Sequence, residues 1–257
     1  MKRKKALIFG ITGQDGSYLA KYLIKKNYRV TGIFRRKNFV NIKKLNLLKK
    51  IKLKLVKKTN KIKIMKILKE NFDEIYFVGC QSNVADSFNN ENETYSSQIE
   101  PVKIILNHIM NQKTKKSKFL YAGSSEMYGN YNGKKKIKEN DTKKPVSPYG
   151  FSKLIAYEII KTYRQMYNLP VCTAILFNHE SSLRTQKYVF KKLIENVKKI
   201  NQKKIKKISF GNVKIKRDWG WAPEYMIGCN KIINSNKIDD YIIATGKTVS
   251  LEKLIYL

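Results

Sequence analysis

Acidic residues are scarce in this chain: 19 Asp and Glu stand against 54 Lys and Arg, a formal charge of +35 over 257 residues. Cysteine is scarcer still. The three present, Cys80, Cys172 and Cys229, lie far apart and form no C-x-x-C pair. That excludes a disulfide framework and a thiolate zinc site, so no metal is expected, and it suits a reducing compartment. No apolar run is long enough to span a bilayer. Behind the basic start Met1-Lys2-Arg3-Lys4-Lys5, the apolar run 6–9 is too short for a signal-peptide core. These absences predict a soluble, cytoplasmic protein without a membrane partner. Repeats and Pro/Gly/Ser-rich linkers are also missing, and the one biased stretch is the lysine-rich segment 43–63.

What is present is ordinary for a folded chain: 42% hydrophobic and 11% aromatic residues, enough to bury one domain, or one domain and part of a second. The charge surplus raises the question of a polyanionic partner. The lysines are spread along the chain and no nucleic-acid motif accompanies them, so no specific nucleic-acid partner is expected, only weak binding at low salt.

Short apolar runs alternate with helical patterns. Strands are predicted at 5–9, 29–34, 53–56, 74–78, 118–122 and 171–177, with helices at 17–26, 61–71, 95–110 and 149–167. That alternation implies βαβ units and a doubly wound parallel sheet, an α/β Rossmann-type architecture. After residue 177 the pattern loosens: a helix at 189–200, a strand near 207–210, a loop at 217–220, a helix at 223–233 and a strand at 241–244. The reading is therefore a dinucleotide-binding domain over 1–177 and a partial substrate-binding region over 178–257, interleaved with the last sheet strands.

Three segments carry chemistry. Gly10-Ile11-Thr12-Gly13-Gln14-Asp15-Gly16 follows the first strand and opens a helix. Glycines there allow a tight turn and a close backbone approach to a pyrophosphate, which the helix N-terminus favours. The second strand ends in Arg35-Arg36-Lys37, without the acid that normally holds the ribose 2′-hydroxyl of NAD. Arginines suit a 2′-phosphate, so NADP is the expected cofactor. Tyr149-Gly150-Phe151-Ser152-Lys153 sets a phenol and an ammonium on one helix face, a plausible general base. Ser124-Ser125-Glu126-Met127-Tyr128-Gly129 follows the fifth strand, where sheets of this class place catalytic groups.

Together these segments resemble the extended short-chain dehydrogenase/reductases. The stretches Gly10 to Leu19, Gln81-Ser82, Ser124 to Glu126, Leu176 to Ser181 and Arg217 to Gly220 are similar to those of GDP-mannose 4,6-dehydratases, in order along nearly the whole chain. The resemblance implies a redox-neutral dehydration of GDP-mannose to GDP-4-keto-6-deoxymannose. Tyr149, helped by Lys153 and Ser124, would take the proton of the sugar's 4-hydroxyl as hydride passes to NADP⁺. Glu126 would abstract the C5 proton as water leaves C6, and the hydride would return to C6. By the same resemblance Gly10, Ile11, Thr12, Gly13, Gln14, Asp15, Gly16, Arg35, Arg36, Val78, Gly79, Cys80, Gln81, Ser82, Tyr95, Tyr149, Lys153, His179 and Arg184 line the cofactor site. Asn178, Val189, Lys192 and Arg217 are the candidates for the sugar nucleotide. A homo-oligomer is implied on the same basis.

The pattern departs from the family in places. Lys57 and Lys58 replace an Asp-Leu pair expected near the adenine end, which reverses the local charge. Ser124 stands where threonine is common, and Ser181-Ser182-Leu183-Arg184 lacks a proline and one arginine. The sequence stops at Leu257, where family members continue, so the substrate lobe is read as incomplete. Two other readings remain: another nucleotide-sugar dehydratase, epimerase or reductase of the superfamily, or an inactive relative that binds nucleotides or polyanions.

Overall fold

Two strands that follow one another in space but not in sequence define where the molecule can bind anything. A computed structural model describes residues 3–57, 59–131 and 136–256; Lys58 and Leu257 lie outside them. Within these, β1 (Lys5–Phe9), α1 (Gln14–Lys25), β2 (Arg29–Phe34), α2 (Val40–Lys44), β3 (Lys52–Leu55) and α3 (Lys61–Leu68) build one half of a sheet. The other half comes from β4 (Glu74–Phe77), α4 (Val84–Asn89), α5 (Glu91–Met110), β5 (Lys118–Ser124), α6 (Pro148–Tyr167) and β6 (Val171–Leu176). Then come β7 (Asn178–Glu180), α7 (Val189–Asn201), β8 (Lys216–Trp221), α8 (Ala222–Ile233), β9 (Tyr241–Ile243), β10 (Thr248–Ser250) and α9 (Leu251–Ile255).

The sheet order is β3-β2-β1-β4-β5-β6-β9, parallel at every pairing. The chain moves outward one way from β1 and the other way from β4. The crevice beyond the C-terminal ends of β1 and β4 is therefore the switch point at which doubly wound sheets bind ligands.

Alternation along the strands fills both faces. Leu7 and Phe9 of β1, Ile75 and Phe77 of β4, and Phe119 and Tyr121 of β5 pack with α3, α5 and α6. Ala6 and Ile8, Tyr76, and Leu120 and Ala122 pack with α1 and α8 on the opposite face. Strands buried on both faces are mostly apolar, which is why they read as near-continuous apolar runs; the buried Glu74 at the start of β4 is satisfied by the Tyr28 and Tyr76 hydroxyls. Each fully buried Leu, Ile or Phe contributes about 1.5–3 kcal/mol relative to exposure.

Beyond residue 177 the structure corrects the expected elements. Residues 217–220, read as a loop, lie within strand β8, and 207–210 form no strand. β8 pairs parallel with β7 and antiparallel with β10 in a separate small sheet. β9 returns to the main sheet beside β6, held by Asp240: its carboxylate accepts from Arg164 Nη1 and Nη2 at 2.8 and 2.6 Å and from the Thr173 N–H at 2.7 Å.

Candidate active site

The turn after β1 is built around glycine for steric reasons visible at two positions. Gly10 has φ +84°, and a Cβ there would meet Gly79 Cα at 2.3 Å; at Gly16 a Cβ would meet Gly10 O at 2.3 Å. The first contact lets the turns after β1 and β4 touch, and the second seats α1 directly beneath the turn. Gly13 precedes α1 and has no close neighbour except Gly10 O, so a ligand can approach the backbone there.

A cavity of 670 Å³ opens on one side of this contact, lined by Gly10, Thr12, Gly13, Arg35, Arg36, Gly79, Cys80, Gln81 and Ser82 among others. On the other side lies a cavity of 380 Å³, lined by Gly13, Gln14, Asp15, Val78, Gly79, Cys80, Ser82, Ser124, Glu126, Tyr149, Lys153, Asn178, His179, Arg184 and Val189. The shared lining of Gly13, Gly79, Cys80, Ser82, Asn83, Lys187 and Tyr188 makes the two parts of one cleft.

The reactive groups come from elements with clear local logic. Ser147 caps α6 by accepting the Gly150 N–H at 3.0 Å, and Pro148 occupies the first turn, so the helix starts where Tyr149 can enter the cleft. Gly150 is required because a Cβ there would lie 2.6 Å from the Glu126 carbonyl. That contact sets Tyr149 against the turn 125–128. Ser124 ends β5, and its Oγ accepts the Glu126 N–H at 3.2 Å, leaving its own proton free to donate.

Lys153 donates to Ala122 O at 2.7 Å, lies 3.9 Å from Cys80 Sγ, and sits 5.7 Å from the Tyr149 ring centroid. Burial pushes its pKa down, since the charged form loses water. Burial pushes the Tyr149 phenol well above its ordinary range; Cys80 adds to the rise and the Ser124 hydroxyl opposes it. Burial likewise raises the Cys80 thiol.

A buried ion pair closes the floor. His179 Nε2 meets Asp15 Oδ1 at 3.0 Å while Nδ1 faces the Phe177 carbonyl at 2.7 Å. Burial opposes both charges. Even so, His179 holds Asp15 at about 2, and the carboxylate holds His179 above its usual value. Gln14 extends the network, donating to His179 O and accepting from Ser181 Oγ at 2.7 Å. Arg184 reaches back to Glu180 at 3.3 Å and stacks 3.7 Å above the Tyr188 ring.

Some expected site residues sit elsewhere. Ile11 is fully buried in the core, and Gly16 supports the turn from below, so each serves through backbone path alone. Tyr95 does not line the cleft; its hydroxyl donates to Glu91 at 2.8 Å and its ring meets Phe151 edge-on. Lys192 and Arg217 are exposed and line neither cavity. In the Arg217–Gly220 run the structural residues are Asp218, which accepts from Thr245 and Gly246, and Gly220, against the Tyr225 ring. Trp219 supplies the cleft wall.

Missed by the sequence reading were Lys187, Tyr188 and Glu93. Tyr188 closes over the cleft by a 2.7 Å hydroxyl contact with Ser82. Glu93 lines the larger cavity with Ser97 and Pro101; their four-residue spacing on α5 was the available signal.

The family model described as GDP-mannose 4,6 dehydratase matches residues 7–257. The GDP-mannose 4,6-dehydratase of Vibrio cholerae is 36% identical over 99% of this chain and 71% of its own length. The human GDP-mannose 4,6 dehydratase is 36% identical over 98% of this chain and 71% of its own. Among solved structures, a UDP-N-acetylglucosamine 4-epimerase from Methanobrevibacter ruminantium superposes with a TM-score of 0.86 at 21% identity, covering all of this chain and 81% of that one. A dTDP-glucose 4,6-dehydratase from Bacillus anthracis, solved with NAD, gives 0.84 at 17% identity, covering 98% and 79%. These structures establish the fold.

Proposed function

Since the chain belongs to the GDP-mannose 4,6-dehydratase family, we propose that it removes one water from GDP-mannose to give GDP-4-keto-6-deoxymannose, using NADP as a recycled cofactor. The observation that carries this reading is the convergence of Ser124, Glu126, Tyr149 and Lys153 on a cleft that begins at the glycine turn after β1.

A dinucleotide fits the residues present. The Gly10–Gly79 contact leaves backbone where side chains would fill the cleft, α1 aims its N-terminus at the Gly13 opening, and Arg35 and Arg36 line the far end. When bound, the dinucleotide supplies the hydride acceptor and donor for transient oxidation at the sugar's C4 and reduction at C6. Arginines at the end of β2 favour the 2′-phosphate of NADP; the NAD named with the Bacillus anthracis relative belongs to that protein.

The chain's own groups then divide the proton work. Ser124 donates a hydrogen bond to the sugar's 4-oxygen. The Lys153 ammonium stabilises Tyr149 as a phenolate, which accepts the 4-hydroxyl proton and becomes a neutral phenol. A ketone at C4 acidifies the C5–H bond; the Glu126 carboxylate, across the same cavity, takes that proton and passes it to the departing C6 hydroxyl, which leaves as water, and the Tyr149 phenol returns its proton to C5 as C6 is reduced. Overall one water is lost and no net oxidation occurs. Asn178 and Val189 border the sugar end of the cleft. The protein is read as cytoplasmic and homo-oligomeric.

Mass spectrometry of GDP-mannose incubated with the purified chain and catalytic NADP⁺ tests the proposal. Loss of one water without accumulation of NADPH is expected, and Glu126→Gln should stop it. Unchanged substrate beside a folded, NADP-binding chain would instead favour a non-catalytic nucleotide-binding relative.

A further inference from the structure

The end of β2 carries no acid in sequence, yet an acid reaches it in space. Arg35 lines the 670 Å³ cavity, and its Nη2 is hydrogen-bonded and ion-paired with Glu93 Oε1, from the first turn of α5. Glu93 borders the same cavity, so the pair stands inside the site rather than on a remote surface. Its members are 37% and 52% exposed, so water and a ligand can reach both.

A cofactor ribose treats the two partners in opposite ways. A 2′-phosphate requires the guanidinium and is repelled by the carboxylate. A 2′-hydroxyl instead donates to a carboxylate, as in NAD sites where an acid ends the second strand. Here the acid comes from a different element, 58 residues later in the chain. We propose that Glu93 sets the cofactor preference of this site: it competes with the 2′-phosphate of NADP for Arg35 and offers NAD an acceptor, so the chain binds both dinucleotides instead of rejecting NAD. The proposal rests on the dinucleotide reading of the cleft given above.

Titration calorimetry of the whole chain with NADP⁺ and NAD⁺ tests it independently of turnover. Glu93→Gln keeps the shape and removes the charge at an exposed position, so the fold is preserved. For a partly exposed pair, the variant should bind NADP⁺ about fivefold more tightly. NAD⁺ should be unchanged or weaker, and the difference between variants should shrink in 0.5 M salt. Equal changes for both cofactors, or a ratio unmoved within twofold, would overturn the proposal. Wild-type chain that binds neither dinucleotide would overturn the cofactor reading itself, an outcome that the wild-type titration alone distinguishes.

Discussion

The chain contains only two histidines, and their environments push them in opposite directions, which makes the Asp15–His179 pair directly measurable. Burial alone lowers His108. At His179 burial also disfavours the charge, but the Asp15 carboxylate 3.0 Å away wins and raises the pKa above 6.5. The reciprocal effect holds Asp15 at about 2 against 3.8 in an unstructured chain, which corresponds to about 2.5 kcal/mol in favour of the folded carboxylate. The signs define a window. Asp15 contributes above its unfolded value and loses the contribution as pH falls through about 2. His179 contributes fully below 6.5 and loses it as pH rises through its higher folded value. The pair is thus strongest between roughly pH 4 and 6.5. His179→Leu leaves Asp15 buried without its main partner, though Gln14 still donates to it at 3.1 Å. We expect a loss of about 2–3 kcal/mol at pH 6, or a Tm lower by about 5–10 °C for a chain of this size. Part of that loss comes from the ring stack with Tyr225, centroids 4.7 Å apart, and does not depend on pH. Melting curves of both proteins at pH 6 and pH 10, with NMR titration of the two histidine C–H signals, isolate the electrostatic part. The reasoning fails if both signals titrate below 6.5, or if the gap in Tm is the same at both pH values.

Tyr149→Phe removes the proposed base while keeping the ring, so turnover should fall by about 10²- to 10⁴-fold, with dinucleotide affinity by calorimetry within about twofold. Gly16→Ala places a methyl 2.3 Å from Gly10 O, backbone against backbone; a lower melting temperature and loss of dinucleotide binding are expected together. Asp240→Asn weakens a clamp that takes two hydrogen bonds from the half-buried Arg164 and one from β6. Urea unfolding should show about 3 kcal/mol less stability at an unchanged slope, because Asp239 is the remaining partner of Arg164.

The main sheet was legible because parallel strands buried on both faces are mostly apolar, and β1 and β2 span the 5–9 and 29–34 that the apolar runs predicted. The glycine turn and the Tyr149–Lys153 helix were legible through local sterics and capping. β8 was not: Lys-Arg-Asp-Trp-Gly-Trp has no strand pattern, and it becomes a strand only because β7 and β10, distant in sequence, pair with it. Arg217 pairs with Val249 of β10, outside the stretch 219–221 that β7 pairs with, and its side chain is exposed. Tyr95 illustrates rotation on a helix: α5 begins at Glu91, so Glu93, Ser97 and Pro101 share the cleft face and Tyr95 turns toward Phe151.

The charge surplus acquires a meaning only against the cleft. Among the residues lining the two cavities, Asp15, Asp86, Glu93, Glu126 and Glu180 face Arg35, Arg36, Lys153, Arg184 and Lys187, so five carboxylates meet five Lys and Arg. The chain as a whole carries 54 Lys and Arg against 19 Asp and Glu. A surplus built to hold an anionic substrate would concentrate where the substrate binds, and here the cleft is the balanced part of the molecule. Several of its cations are already engaged: Arg184 with Glu180, Lys187 with Asp86, Arg35 with Glu93. On the proposed reading, recognition of a diphosphate would use backbone N–H groups at the start of α1 and exchange of these existing ion pairs. The excess lysines outside the cleft act at the surface, where salt screens them within about 10 Å.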